Sequence, residues 1–172
     1  QAVALGTAQV AALETTDFAV LSTANIAALG TAQIVAITTA QAQSLTTAQV
    51  QALGTAQVVA LEVADFAAIS TTSLAALLTS QVASLTTDEV VALTTAQAAA
   101  LTTMQVAQGL STSQVLALET DDLAALQAAQ IEALTPSQIA ALSTSQVRLA
   151  LSTSQIAAIT TGGIAALTTA QV

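Results

Sequence analysis

One eight-residue phrase, Leu-Thr-Thr-Ala-Gln-Val-Ala-Ala, is written about 21 times along this chain of 172 residues, with two single-residue insertions. With positions numbered 1 to 8 from Leu5, position 1 recurs at Leu13, Leu21, Leu29 and Ile37 and runs unbroken to Leu101. One extra residue near Gly109 moves the frame to Leu110, and another near Arg148 moves it to Leu151, followed by Ile159 and Leu167. Whatever backbone carries one octad must therefore carry all of them, and no linker marks a second domain.

Three backbones compete. In one continuous helix eight residues turn through about 800°, so a Leu/Val seam drifts by about 80° per repeat and never keeps facing a partner. A long coiled coil is excluded. In a β-strand, positions 1 and 6 have opposite parity, which would place Thr and Gln beside Leu in the core and disfavours a β-solenoid. The third reading restarts a short helix in every octad. Position 2 is mostly Thr, Ser or Gly, as at Thr46, Ser143 and Gly54, the residue types that cap helix N-termini. Three residues on, position 5 is usually Gln, as at Gln49, Gln146 and Gln57, which completes a capping box. Positions 1 and 6 then form the hydrophobic staple, and they are the two large apolar positions. Pro136 replaces Thr at position 3, the first helical residue, where proline is best tolerated. Gly109 stands where a left-handed C-cap residue is expected.

A single octad cannot offset the entropy of ordering its eight residues with one Leu and one Val, so stability must come from stacking, the logic of a solenoid. Small residues at positions 4, 7 and 8 let neighbouring helices approach, and Ala is the strongest helix former. The exceptions to the consensus suggest the number of sides. Gly takes position 2 at Gly6, Gly30 and Gly54, three octads apart each time. Phe18 and Phe66 occupy one column at position 6, with the small Ala42 midway between them, the alternation by which stacked layers fill space. The expected fold is all-α: a solenoid of very short capped helices, one per octad, three per superhelical turn of 24 residues.

Composition limits the chemistry. The chain has no His, Cys, Trp, Tyr or Lys, and Arg148 is its single cation, so Ser/His/Asp triads, Cys nucleophiles, Schiff-base lysines and His or Cys metal sites are absent. A net charge of -9 argues against nucleic acid and against anionic bilayer surfaces. Although 54% of residues are hydrophobic, Thr, Ser or Gln breaks every run well short of the ~18 needed to span a membrane. The paired acids Glu14/Asp17, Glu62/Asp65 and Glu119/Asp122 are the one candidate acid/base set. Their i, i+3 spacing places them instead at N-cap and N3, where negative charge meets the positive end of a helix. Calcium is the one metal the side chains leave open, with Asp65 and Glu89 on adjacent turns as a weak site, but no EF-hand or glycine-rich calcium repeat is present. The Phe residues read as core fillers and Arg148 as a surface contact. Thr fills position 3 in 18 of the 21 octads. It reads as support for the helix start with its methyl group packed on the next repeat, the alternative being a hydroxyl array for ice or glycans. No catalytic, cofactor or metal residue is assigned, and no small-molecule substrate is expected.

Octads such as Leu134-Thr135-Pro136-Ser137-Gln138-Ile139-Ala140-Ala141 and Leu151-Ser152-Thr153-Ser154-Gln155-Ile156-Ala157-Ala158 resemble the octapeptide repeat regions of very large secreted bacterial surface and adhesin-like proteins. That resemblance covers the whole chain, transfers no site residues, and implies an extracellular or cell-surface structural role. The phrase Leu-Thr-Pro-Ser-Gln-Ile is also similar to the start of the DNA-binding repeats of TAL effectors, but octad length, charge and the missing base-reading loop set it apart. The sequence from Gln1 to Val172 opens and stops in mid-octad with apolar terminal repeats. Residues 1–172 are therefore expected to be one uncapped array, part of a longer one or able to self-associate end to end into a filament.

Overall fold

In a computed structural model, residues 5–172 are described. Gln1, on which the expectation of a mid-octad start rests, lies outside them. Contacts divide the chain into two compact units, with the sequence boundary between Leu85 and Thr86. Among the described residues the octads form helices of five or six residues, from Thr7–Ala11 to Thr161–Ala166.

The caps explain why the helices are so short. Position 2 is extended at the α-helix starts, as at Thr46 (φ -78°, ψ 163°), and position 1 leaves helical geometry at the end of the six-residue helices, as at Leu53 (φ -64°, ψ 134°). Two extended residues thus form a corner between helices. Pro136 is the first residue of helix Pro136–Ala141, where its missing N–H removes no helical bond.

Both units are three-sided. In the first, helix Thr15–Ala19 packs on Thr39–Ser44, which packs on Val63–Ala68, each three octads further on. In the second, Thr95–Ala100 packs on Thr120–Ala125, which packs on the segment Gln146–Ala150. Phe18, Ala42 and Phe66 therefore lie in one column on successive turns, all at most 1% exposed. Position 1 and position 6 face inward along the array: Leu45 and Val50, Leu93 and Val90, and Leu118 and Val115 are all buried. Full burial of each such side chain contributes about 1.5 to 3 kcal/mol, which no isolated octad secures.

The extra residues are accommodated differently from expectation. No described residue has a positive φ, so Gly109 is not a left-handed cap. The last turn instead widens into a π-turn, Gln105–Gly109, in which the Leu110 N–H donates to the Gln105 carbonyl at 2.9 Å, five residues back. The same happens at Gln146–Ala150, where no glycine is present. Widening the C-terminal ring keeps both flanking apolar positions buried, Val106 with Leu110 and Val147 with Leu151, whereas a left-handed exit would redirect the chain.

Candidate functional site

The most regular polar feature is the column of position-5 glutamines, nearly all buried. Gln41 is 1% exposed and uses both ends of its amide. Its Oε1 accepts from the Thr38 N–H at 2.8 Å, the expected capping contact. Its Nε2 donates to the Val10 and Leu13 carbonyls, both at 2.8 Å, on the preceding turn. Gln81 repeats the pattern on Val50 and Leu53, and Gln138 on Val106 and Leu110. Each glutamine caps its own helix and satisfies two carbonyls left at the end of a helix one turn below. The result is a ladder of rungs through each unit.

Sequence reasoning found the cap and missed the rung. A signal was present: N3 lies at the positive end of a helix, where Glu is favoured, yet 14 of the 21 octads have Gln there and one has Glu. Only the amide supplies an acceptor and two donors together. Glycine at the N-cap fits the same scheme, since Gly54 has no side chain to offer and the Gln57 Oε1 alone caps it, at 2.7 Å.

Where position 5 is not Gln, the rung changes. Ser73 Oγ donates to the Leu45 carbonyl at 2.7 Å. Asp65 accepts from Thr39 Oγ1 at 2.7 Å. Gly163 has no rung, and a Cβ there would stand 2.6 Å from Ile159 Cγ2 and 3.3 Å from Ile139 Cγ1. Glu89 accepts from the Thr86 N–H at 2.7 Å and the Thr86 hydroxyl at 2.8 Å through one oxygen, while its other oxygen is buried without a partner. Burial raises its pKa above the usual glutamate range and Asp88 adds to this, against the lowering effect of the Thr86 bonds. Asp122, 2% exposed, likewise buries Oδ2 without a partner. Burial, then Glu119 and Asp121, push its pKa up to about 6.

The paired acids sit where the spacing placed them. Glu14, Glu62 and Glu119 are N-caps, and Asp17, Asp65 and Asp122 are the third residues of their helices. None of the three glutamates makes a side-chain cap bond, so they supply charge and no specific contact. No group of three acids placed to hold a metal occurs among the described residues. Asp65 and Glu89 fall in different units. Arg148 is exposed on its π-turn, and Phe18 and Phe66 are core.

Position-3 threonines such as Thr47, Thr55, Thr87 and Thr95 are exposed rather than covered by the next repeat as expected. A cavity of about 320 Å³ opens beside Val147, Leu151, Ile156, Ile159 and Leu167, with Arg148 at its edge. Among the described residues no helix is long and apolar enough to cross a membrane.

Comparison with curated proteins and with solved structures returns no match. The family model of the ALTTAQ repeat matches residues 10–47, 58–95 and 115–148, well over half of the sequence. Its name is the Ala-Leu-Thr-Thr-Ala-Gln core of the octad, the stretch that carries the corner, the N-cap and the rung. The chain therefore belongs to the ALTTAQ repeat family.

Proposed function

We propose that this chain is a non-catalytic structural element, a segment of an extracellular fibre or surface-protein stalk that grows by stacking short helices. The glutamine ladder carries the reading. Where position 5 is Gln, a turn leaves carbonyls that amides of the following turn satisfy, so one turn can serve as a template for another of the same chemistry. A long uniform array with one cation and no nucleophile-base pair suits span more than turnover.

Electron microscopy and light scattering of the purified chain over a concentration series test self-association. End-to-end oligomers or fibres are expected, and a monodisperse compact monomer at high concentration overturns this part of the reading. Protease shaving of intact source cells tests location: loss of the repeat from the surface supports it, and full protection removes the extracellular role. The exposed threonines favour one alternative, a surface for ice or glycans. Ice-shaping or glycan-array binding by the chain would establish that alternative.

A further inference from the structure

The two buried carboxylates with an unpartnered oxygen both occupy the ladder column, at the position where other rungs donate. In the second unit the register is set by Gln130, whose Nε2 reaches the Ala98 and Leu101 carbonyls, and by Gln138 on Val106 and Leu110. One octad before Gln130, the same register directs Asp122 to the carbonyls of Val90 and Leu93. An ionised carboxylate has no hydrogen to give them, and an oxygen turned toward carbonyl oxygens repels them. A neutral carboxylic acid has one O–H. Its shorter side chain is no obstacle, because Ser73, shorter still, donates to Leu45, the equivalent of Leu93, at 2.7 Å.

We propose that Asp122 is a proton-binding rung: in the folded array its carboxyl is held protonated in mild acid and donates to the Leu93 carbonyl, so the stack tightens as pH falls and loosens toward neutrality. Glu89, with one oxygen engaged by Thr86 and the other buried and unpartnered, carries the same carboxylate exception in its own octad. The surroundings supply no counter-charge. Helix Thr95–Ala100 beneath carries no titratable group, and Gln146–Ala150 above carries only Arg148, which is exposed. The helix of Asp122 adds Glu119 and Asp121, Ala128–Ala133 adds the exposed Glu132, and Thr87–Val91 adds Asp88 and Glu89. Of these acids, Glu119 and Asp121 favour the neutral form. The elevated pKa of Asp122, about 6, agrees with this geometry.

The sign follows from proton counting. An aspartate with an ordinary value near ~3.9 when unfolded and about 6 when folded binds more protons in the folded state between those limits. Its contribution is fully present below about pH 4 and is lost as pH rises through 6. Carbon-detected NMR titration of the Asp122 carboxyl in the full chain, with thermal melts from pH 4 to 8 for the parent and Asp122→Asn, tests this. The carboxyl is expected to titrate near 6. The parent's unfolding equilibrium constant should rise between pH 4 and 7 by on the order of 10-fold more than the variant's, after allowance for screening. A carboxyl titrating at or below 4, or melts of parent and Asp122→Asn that run parallel, overturns the proposal. The NMR arm needs no substitution and decides the matter even if the variant fails to fold.

Discussion

Two neighbouring octads, residues 118–125 and 126–133, differ at six of their eight positions, the rung among them, and still share one backbone. Their helices Thr120–Ala125 and Ala128–Ala133 have the same length, begin after N-caps whose side chains make no cap bond to the helix, and end on buried Leu126 and Leu134. Leu123 and Ile131 are both at most 1% exposed. Yet Gln130 makes three bonds, to the Gln127 N–H at 2.6 Å and to the Ala98 and Leu101 carbonyls, while Asp122 leaves a buried oxygen bare. The apolar columns therefore suffice to shape an octad, and the rung adds definition to a fold already specified by Leu and Val. Rungs are the part free to be exchanged for other properties.

The largest effects should ignore this difference. Leu123→Ala and Ile131→Ala are each expected to cost about 2 to 5 kcal/mol, by loss of burial plus a cavity, in denaturant melts of the full chain. Similar costs in both octads would support the division between core and rung. A much smaller cost for Leu123→Ala would mean that the Asp122 octad is already loosened, and the comparison would fail.

Next in size is the rung itself. Gln130→Ala leaves the Ala98 and Leu101 carbonyls and the Gln127 N–H without their partner, and is expected to cost about 2 to 3 kcal/mol. Asp122→Ala at neutral pH removes a group that makes no such bonds and is expected to fall within about 1 kcal/mol of the parent. Equal losses at the two sites would show that the amide is no more than a space filler.

Much of this was legible in the octad itself. Period, caps and staple are local, so the helices, the place of Pro136 and the inward face follow from eight residues. The three sides followed from Gly30 and the Phe18–Ala42–Phe66 column, because layer packing leaves its mark on residue volume. The rung did not, since its bonds join residues about 30 apart and the same glutamine also satisfies a sufficient local role. The two irregular octads show the other limit. Insertions near Gly109 and Arg148 were visible, but glycine suggested a left-handed exit, and burial of Leu110 and Leu151 selected a π-turn that needs no glycine.

Transplanting the exception sharpens the contrast further. Gln130→Glu puts a carboxylate oxygen where Nε2 now faces two carbonyls, so its folded pKa is expected above the ordinary glutamate value near ~4.3. The folded state then holds more protons in that window, and stability falls as pH rises through the elevated value. Melts at pH 4.5 and 7.5 should show a larger loss at the higher pH. A loss that is greater in acid would mean that helix-end charge, not the ladder, governs this column.

The smallest expected effect separates the two causes of the Asp122 shift. Burial is the main one and the like charges of Glu119 and Asp121 come after it. Glu119 is exposed, so its influence passes through water and is weak. Glu119→Gln should lower the titration midpoint of the Asp122 carboxyl only slightly, leaving it well above that of an ordinary aspartate, with a change in stability of a few tenths of a kcal/mol at neutral pH. The NMR titration used for the parent reads it directly. If instead the midpoint collapses to the ordinary range, the perturbation belongs to a surface cluster of acids. The contrast between the 118–125 and 126–133 octads would then lie in exposed charge, with the buried rung a bystander.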